Sequence, residues 1–239
     1  MLRIRFHSAA ALPPLGGGAP FLVQLVSSFP AMPSTLTTPA VSTSPHSLRL
    51  LCRFDVDRLR ADLARLPASE FRPHFRTGLY EGDWSVLPLR SLGGVVDPAR
   101  ASYTSLDFED LPVLALCPYV EEVLDYFRCP KLSVRFLRVP AGARVKEHRD
   151  HNLSLEDGTL RLHIPVTANP EMRFIVAGRR QRMAPGECWY HDFTQPHSLR
   201  NAGTNERVHL VLDCVVNDWL RAEVLRAAPA ARVEAVSVG

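Results

Sequence analysis

Acidic residues are missing from the first fifth of the chain: none precedes Asp55. The same stretch is proline-rich, with seven prolines in the first 46 residues, and carries Gly16-Gly17-Gly18 and a Ser/Thr-rich tract. Such a composition buries too little apolar surface to offset its ordering entropy, so residues 1–46 are expected to be a disordered or leader-like extension. A cleavable leader, or a translation start at Met32, stays open; the expected compartment is the cytoplasm. No C-x-x-C pair occurs among the five cysteines, which excludes a thiol-based zinc ribbon and fits free thiols in a reducing environment. No apolar run is long enough to span a bilayer, so no membrane partner is expected. Excess charge is lacking too: a net +3 gives no reason to expect a nucleic-acid partner. No internal repeat is visible.

What remains is a chain of 239 residues with ordinary apolar and charged content, long enough for one domain with a real core. A short strand is expected over 50–54. Asp55 then reads as the N-cap of a helix over 56–66, ended by Pro67. Residues 70–92 alternate like strands, with Gly82 marking a turn between two of them, and 93–105 reads as loop. A helical face runs through 111–127, where Pro118 must start a new turn or kink the helix. Residues 47–130 thus form a helical and strand-containing support region.

From Lys131 onward the period changes to two. Strands are expected over 132–138, 143–148, 160–167, 172–177, 186–192, 197–201 and 206–216, separated by turn residues such as Pro140-Ala141-Gly142, Asp157-Gly158 and Pro185-Gly186. Many short strands at this spacing indicate a barrel or sandwich over 131–229. A last helix near 219–228 packs outside it, and 230–239 is a tail. The cluster Arg179, Arg180, Arg182 reads as a solvated hairpin end. In 160–167, Arg161, His163 and Pro165 share a face opposite Leu162, Ile164 and Val166. In 206–216, Arg207, His209, Val211 and Asp213 oppose Val208, Leu210 and Leu212. Two strands that are polar on one side and apolar on the other suit a barrel with a ligand-holding interior, its apolar exterior covered by the helices.

The chemistry centres on His148-Arg149-Asp150. On an extended segment residues 148 and 150 share a face. His197 supplies a third ligand if the chain folds back. Two histidines and one carboxylate leave positions open on an octahedral metal, the facial triad of non-haem Fe(II) oxygenases. In a chain with nine histidines H-x-D alone is unspecific, so its surroundings decide. His151 would face away from His148.

Those surroundings are H-R-D (148–150), R-L-H-I-P-V (161–166), N-P (169–170), F-I-V-A-G (174–178), M-A-P-G-E-C-W-Y-H-D (183–192), P-H-S-L-R-N (196–201) and R-V-H-L-V-L-D (207–213). In this order they resemble the aspartyl/asparaginyl β-hydroxylase family, including its branch of bacterial free-proline hydroxylases. A weaker echo lies in 80–91, and His197 with Asn201 resembles the second cupin motif. The resemblance implies a mainly β fold with flanking helices, a double-stranded β-helix or cupin-like jelly roll. It implies Fe(II), 2-oxoglutarate and O2 as cofactors, with His148, Asp150 and His197 as metal ligands. Arg207 would grip the distal carboxylate of 2-oxoglutarate, for which a planar guanidinium fork suits better than lysine. Arg161 and His163 would lie near the cosubstrate's metal-proximal carboxylate or the substrate, and His209 is a further pocket candidate. Trp84, Arg90 and Tyr103 are candidate substrate contacts. The implied reaction hydroxylates an unactivated C–H of an amino-acid side chain, free or peptidyl, with 2-oxoglutarate converted to succinate and CO2. The partner is then a small-molecule or peptide substrate; oligomeric state is not readable. Two other classes stay open. A Zn-dependent hydrolase could use the same ligands, but Glu147 points the wrong way to serve as base. A non-catalytic cupin-like module would not need both the triad and Arg207.

Overall fold

The computed structural model describes residues 45–95 and 106–228. The expected extension up to residue 44, Tyr103 and the tail after Pro229 lie outside them. Among the described residues thirteen strands form two antiparallel sheets. The larger is built from β1 (Ser47–Arg53), β2 (Arg72–Pro73), β4 (Ser85–Leu92), β5 (Phe108–Asp110), β6 (Lys131–Val139), β8 (Thr159–Thr167), β11 (Glu187–His191) and β13 (Arg207–Val215). Its order is β1-β11-β8-β13-β6-β4-β2, with β5 on the edge of β4. The smaller contains β3 (Tyr80–Glu81), β7 (Arg144–His148), β9 (Met172–Val176), β10 (Arg179–Gln181) and β12 (His197–Asn201), in the order β10-β9-β12-β7-β3. From β6 onward the chain alternates between the two sheets, with β9 and β10 consecutive in the smaller one, the double-stranded β-helix of a jelly roll. Among the described residues no helix is long and apolar enough to cross a membrane.

Alternation along the strands sets the two faces of the large sheet. Strand register puts His163, Val211, Arg135 and Pro88 in one row across it, and Pro165, His209, Leu137 and Val86 in the next. Arg161 pairs with Asp213, and Arg207 with Val139. The opposite face presents Leu162, Ile164, Leu210, Leu212 and Phe136 to a core shared with the helices. That core is closed by α1 (Val56–Arg65), α2 (Pro118–Tyr126) and α3 (Asp218–Ala227), through Leu59, Val120, Val123, Leu220 and Val224. The helices lie outside and the polar residues inside, as the face pattern requires.

Asp55 caps α1, accepting from the amides of Asp57 and Arg58. Pro118 begins α2 after a 3-10 turn at Pro112–Leu116, so the proline splits the expected helix in two. Gly82 separates β3 from β4, but these strands do not form a hairpin: β3 pairs with β7 and β4 with β6. The chain crosses between the sheets there, with Gly82 at φ +80° and the place of its missing Cβ only 3.2 Å from Ala143 Cα. Two strands escaped the sequence reading. β5 is three residues long, and β10 lies in the solvated arginine cluster. Neither is long enough to show a period.

Candidate active site

His148 ends β7 and His197 begins β12, and these strands pair antiparallel with the two histidines opposite each other. Their ring centroids are 4.2 Å apart. Asp150 lies just past the strand, its amide bonded to the Phe193 carbonyl at 2.9 Å, which turns the carboxylate back toward the rings. Asp150 Oδ1 is 4.0 Å from His148 Nε2. One donor atom from each of the three lies within 4.8 Å of the others, the only such cluster found among the described residues. The fold-back that the sequence required is therefore the β7–β12 ladder.

These residues fit a divalent metal. His148 Nδ1 donates to the Lys146 carbonyl at 2.8 Å and His197 Nδ1 to the Gln195 carbonyl at 3.0 Å. A carbonyl only accepts, so both rings carry their proton on Nδ1 and leave the Nε2 lone pair available. Burial drives the His197 pKa down to about 4, which keeps that lone pair unprotonated at neutral pH. For Asp150, burial acts against the charge, but Arg161, His197, His148 and Arg76 outweigh it and hold the carboxyl at about 2. Two imidazoles presenting Nε2 and an ionised carboxylate are a donor set for a borderline or hard divalent ion, with no thiolate to select a softer one.

The donor cluster opens on a cavity of about 230 Å³ between the sheets. Arg207 lies in the same cavity, 3% exposed, and desolvation lowers its pKa to about 9. Its Nη2 donates to His209 Nδ1 at 2.8 Å. Its Nε has no partner, and among the described residues no carboxylate pairs with it. A buried guanidinium without a counter-anion is costly, and a ligand carboxylate would relieve it. His163 lies beside it, with Nδ1 3.3 Å from His209 Nδ1 and Nε2 without a partner. Burial, then the Arg207 charge, pushes the His163 pKa well below its usual value, so the ring is neutral.

Arg161 binds Asp150 Oδ2 at 2.8 Å and Asp213 at 2.7 and 3.0 Å. It thus orients the acidic member of the cluster. Arg76, from the segment before β3, holds the other oxygen of Asp150 at 2.8 Å. Arg135 also reaches Asp213, at 3.1 Å. Sequence reading missed Arg76 and Arg135 as site residues: neither sits in a motif, and Arg76 comes from the support region. Asp213 was legible as a member of the polar face of β13.

Of the three candidate substrate contacts, Trp84 lines the cavity, 6.3 Å from the His148 ring. It stacks on His74 at 3.6 Å and stands edge-on to Tyr80. Arg90 lies elsewhere. Its guanidinium binds the Lys131 carbonyl at 3.0 Å, Asp110 at 2.6 Å and the Phe108 carbonyl, and it does not line the cavity. At the β4–β5 edge it ties strands together. His151 is exposed at the cavity rim. Trp189 donates to Glu187 and stacks on His191, a packing role.

The aspartyl/asparaginyl beta-hydroxylase family matches residues 53–216, spanning every strand that carries the site. The chain belongs to this family. The chain is also similar to solved structures. One is a prolyl-4-hydroxylase of Pseudomonas putida, 16% identical over 72% of this chain and 93% of its own, with a TM-score of 0.46. Another is an oxidoreductase of the 2OG-Fe(II) oxygenase family from Burkholderia pseudomallei, 18% identical over 67% of this chain and 77% of its own, with a TM-score of 0.45. At 16% and 18% identity neither likeness bears on the reaction of this chain. Family membership and the site geometry carry that weight.

Proposed function

We propose that this β-hydroxylase family member is an Fe(II)/2-oxoglutarate-dependent dioxygenase that hydroxylates an unactivated C–H of an amino-acid side chain, free or within a peptide. One observation carries the reading. A buried guanidinium, Arg207, lacks an acidic partner among the described residues and faces the same cavity as the His148–Asp150–His197 cluster. Neither a zinc hydrolase nor a bare binding module requires that pair of features.

His148, Asp150 and His197 would hold the iron through two Nε2 atoms and a carboxylate oxygen. When bound, iron with 2-oxoglutarate and O2 supplies the oxidising chemistry, in which the keto acid is decarboxylated to succinate and CO2 and the C–H becomes C–OH. The residues of the chain bind and orient. Arg207 takes the distal carboxylate of 2-oxoglutarate as a charge-assisted fork, and among the described residues no acid competes for it. Arg161 and Arg76 fix the Asp150 carboxylate from both sides. Phe174 and Phe193 line the cavity around the cluster and exclude water from it. Trp84 forms a wall near His148 against which a side chain can lie.

The test is succinate formation. Full-length protein with Fe(II), 2-oxoglutarate and O2, offered free amino acids and short peptides, should form succinate and a product heavier by one oxygen. No succinate above a metal-free control, with any substrate or none, would refute the assignment.

A further inference from the structure

Arg207 is held from behind. Residues 207 and 209 lie two apart on β13, so Arg207 and His209 share a face. Arg207 lines the cavity and His209 does not. Both are buried, at 3% and 2% exposure. Arg207 Nη2 donates to His209 Nδ1 at 2.8 Å. A guanidinium has only donors, so His209 Nδ1 is the acceptor and the ring proton sits on Nε2. On the neighbouring strand β8, His163 Nδ1 lies 3.3 Å from the same nitrogen. Two bare lone pairs would repel there, so His163 carries its proton on Nδ1 and donates it. One atom, His209 Nδ1, thus takes N–H groups from two residues of the cavity wall. Burial, then the Arg207 charge, pushes the His209 pKa well below its usual value, so the ring is neutral and keeps that lone pair.

This arrangement readies Arg207 for an anion. An arginine side chain is flexible and loses that freedom when it grips a carboxylate. Here one N–H is tied to His209, and the guanidinium carbon stands 5.9 Å from the Phe174 ring centroid. Both contacts order the side chain before a ligand arrives. They leave Nε–H without a partner among the described residues, open to an incoming acceptor. The nature of the tether matters as much as its place. A carboxylate at position 209 would orient Arg207 equally well but would pair with its charge. A neutral imidazole orients the guanidinium and leaves the charge for the ligand.

We propose that His209 is a positioning residue for the cosubstrate: a neutral acceptor that aims Arg207 into the cavity without cancelling its charge, and so makes the site select a keto acid with a second carboxylate. The inference rests on the oxygenase reading, in which Arg207 takes the distal carboxylate of 2-oxoglutarate, and adds the residue that prepares it.

Calorimetric titration of the anaerobic, Fe(II)-loaded full chain compares 2-oxoglutarate with 2-oxobutyrate, the same keto acid without the distal carboxylate. Wild type should bind 2-oxoglutarate at least about tenfold tighter. His209→Leu should remove most of that preference while 2-oxobutyrate stays within about threefold of its wild-type affinity. A general loss of packing would instead weaken both keto acids alike. His209→Asn, with a side-chain oxygen near the place of Nδ1, should keep the preference. His209→Asp puts a charged oxygen in the same place and should lose it. One measurement needs no variant: nitrogen NMR of the metal-free wild type should find His209 protonated on Nε2 and His163 on Nδ1. The proposal is overturned if His209 carries its proton on Nδ1, if folded His209→Leu keeps the preference, if both keto acids weaken alike in it, or if the Asn and Asp variants behave alike. Any of these with normal 2-oxoglutarate binding by wild type removes only the role of His209. No 2-oxoglutarate binding by the Fe(II)-loaded wild type would remove the oxygenase reading itself.

Discussion

His197 Nε2 faces His148 and Asp150 with its proton on the other nitrogen, so an alanine there removes a proposed ligand and leaves only the Gln195 carbonyl without its donor. His197→Ala should abolish stoichiometric iron binding, read by metal analysis after gel filtration; full retention would remove His197 from the site. Arg207→Lys keeps the charge but loses the planar fork, and 2-oxoglutarate binding should weaken by about ten- to a hundredfold. An unchanged dissociation constant would end that role. The buried histidines also set a pH dependence. His74 and His191 are held at about 3, mainly by burial, and His163 and His209 are likewise pushed well below their usual value. In the unfolded chain each titrates near ~6.5. Below that pH the unfolded state binds protons that the folded state refuses, so stability is full above ~6.5 and falls as the pH drops toward 3. The metal-free protein should therefore lose Tm steadily between about pH 6.5 and 4. His191→Asn should make that slope shallower, and an identical slope would contradict the assignment.

Helix α2 begins without a side-chain cap of its own at Cys117. Asp62 of α1, 1% exposed, supplies it from outside by accepting from the Tyr119 and Val120 amides at 2.8 Å each. Asp62→Ala should cost about 2 kcal/mol by urea denaturation, because one buried and one half-buried N–H group lose their acceptor. A shift under about 0.5 kcal/mol would show that the amides find another partner. Gly186, at φ +80°, opens β11 with the Phe54 carbonyl oxygen 2.4 Å from where a Cβ would stand. Gly186→Ala combines backbone strain with a clash against fixed backbone, and should cost at least about 2 kcal/mol. The sequence showed both elements but only half of their coupling. The Asp55 cap was legible because it is local; the Asp62 cap was not, because its partners lie far along the chain. Short strands such as β5 escaped for the reason that three residues carry no measurable period.

At the scale of the whole molecule, a barrel or sandwich was legible because the period changes to two from Lys131 onward, and the family resemblance narrowed it to a jelly roll. The polar faces of β8 and β13 told which side was interior. The ligand cluster followed from H-x-D with His197 in their motif surroundings, and the β7–β12 ladder supplies the approach that spacing alone could not. Arg76, Arg135 and His74 were invisible, since they reach the cavity from the support region or from a face whose partner strand was unknown. The neighbours of Arg90 at the β5 edge could not be read for the same reason.

The fold thus brings the His148–Asp150–His197 cluster at the β7–β12 ladder of the small sheet to the same cavity as Arg207 of the large one. Calorimetric titration of 2-oxoglutarate into the anaerobic full chain, with and without Fe(II), examines that meeting directly. One molecule should bind per protein in the presence of iron, far more weakly without it, and more weakly in Arg207→Lys. Binding that is indifferent to iron, or to the loss of His197, would mean that the cluster and Arg207 do not form one site.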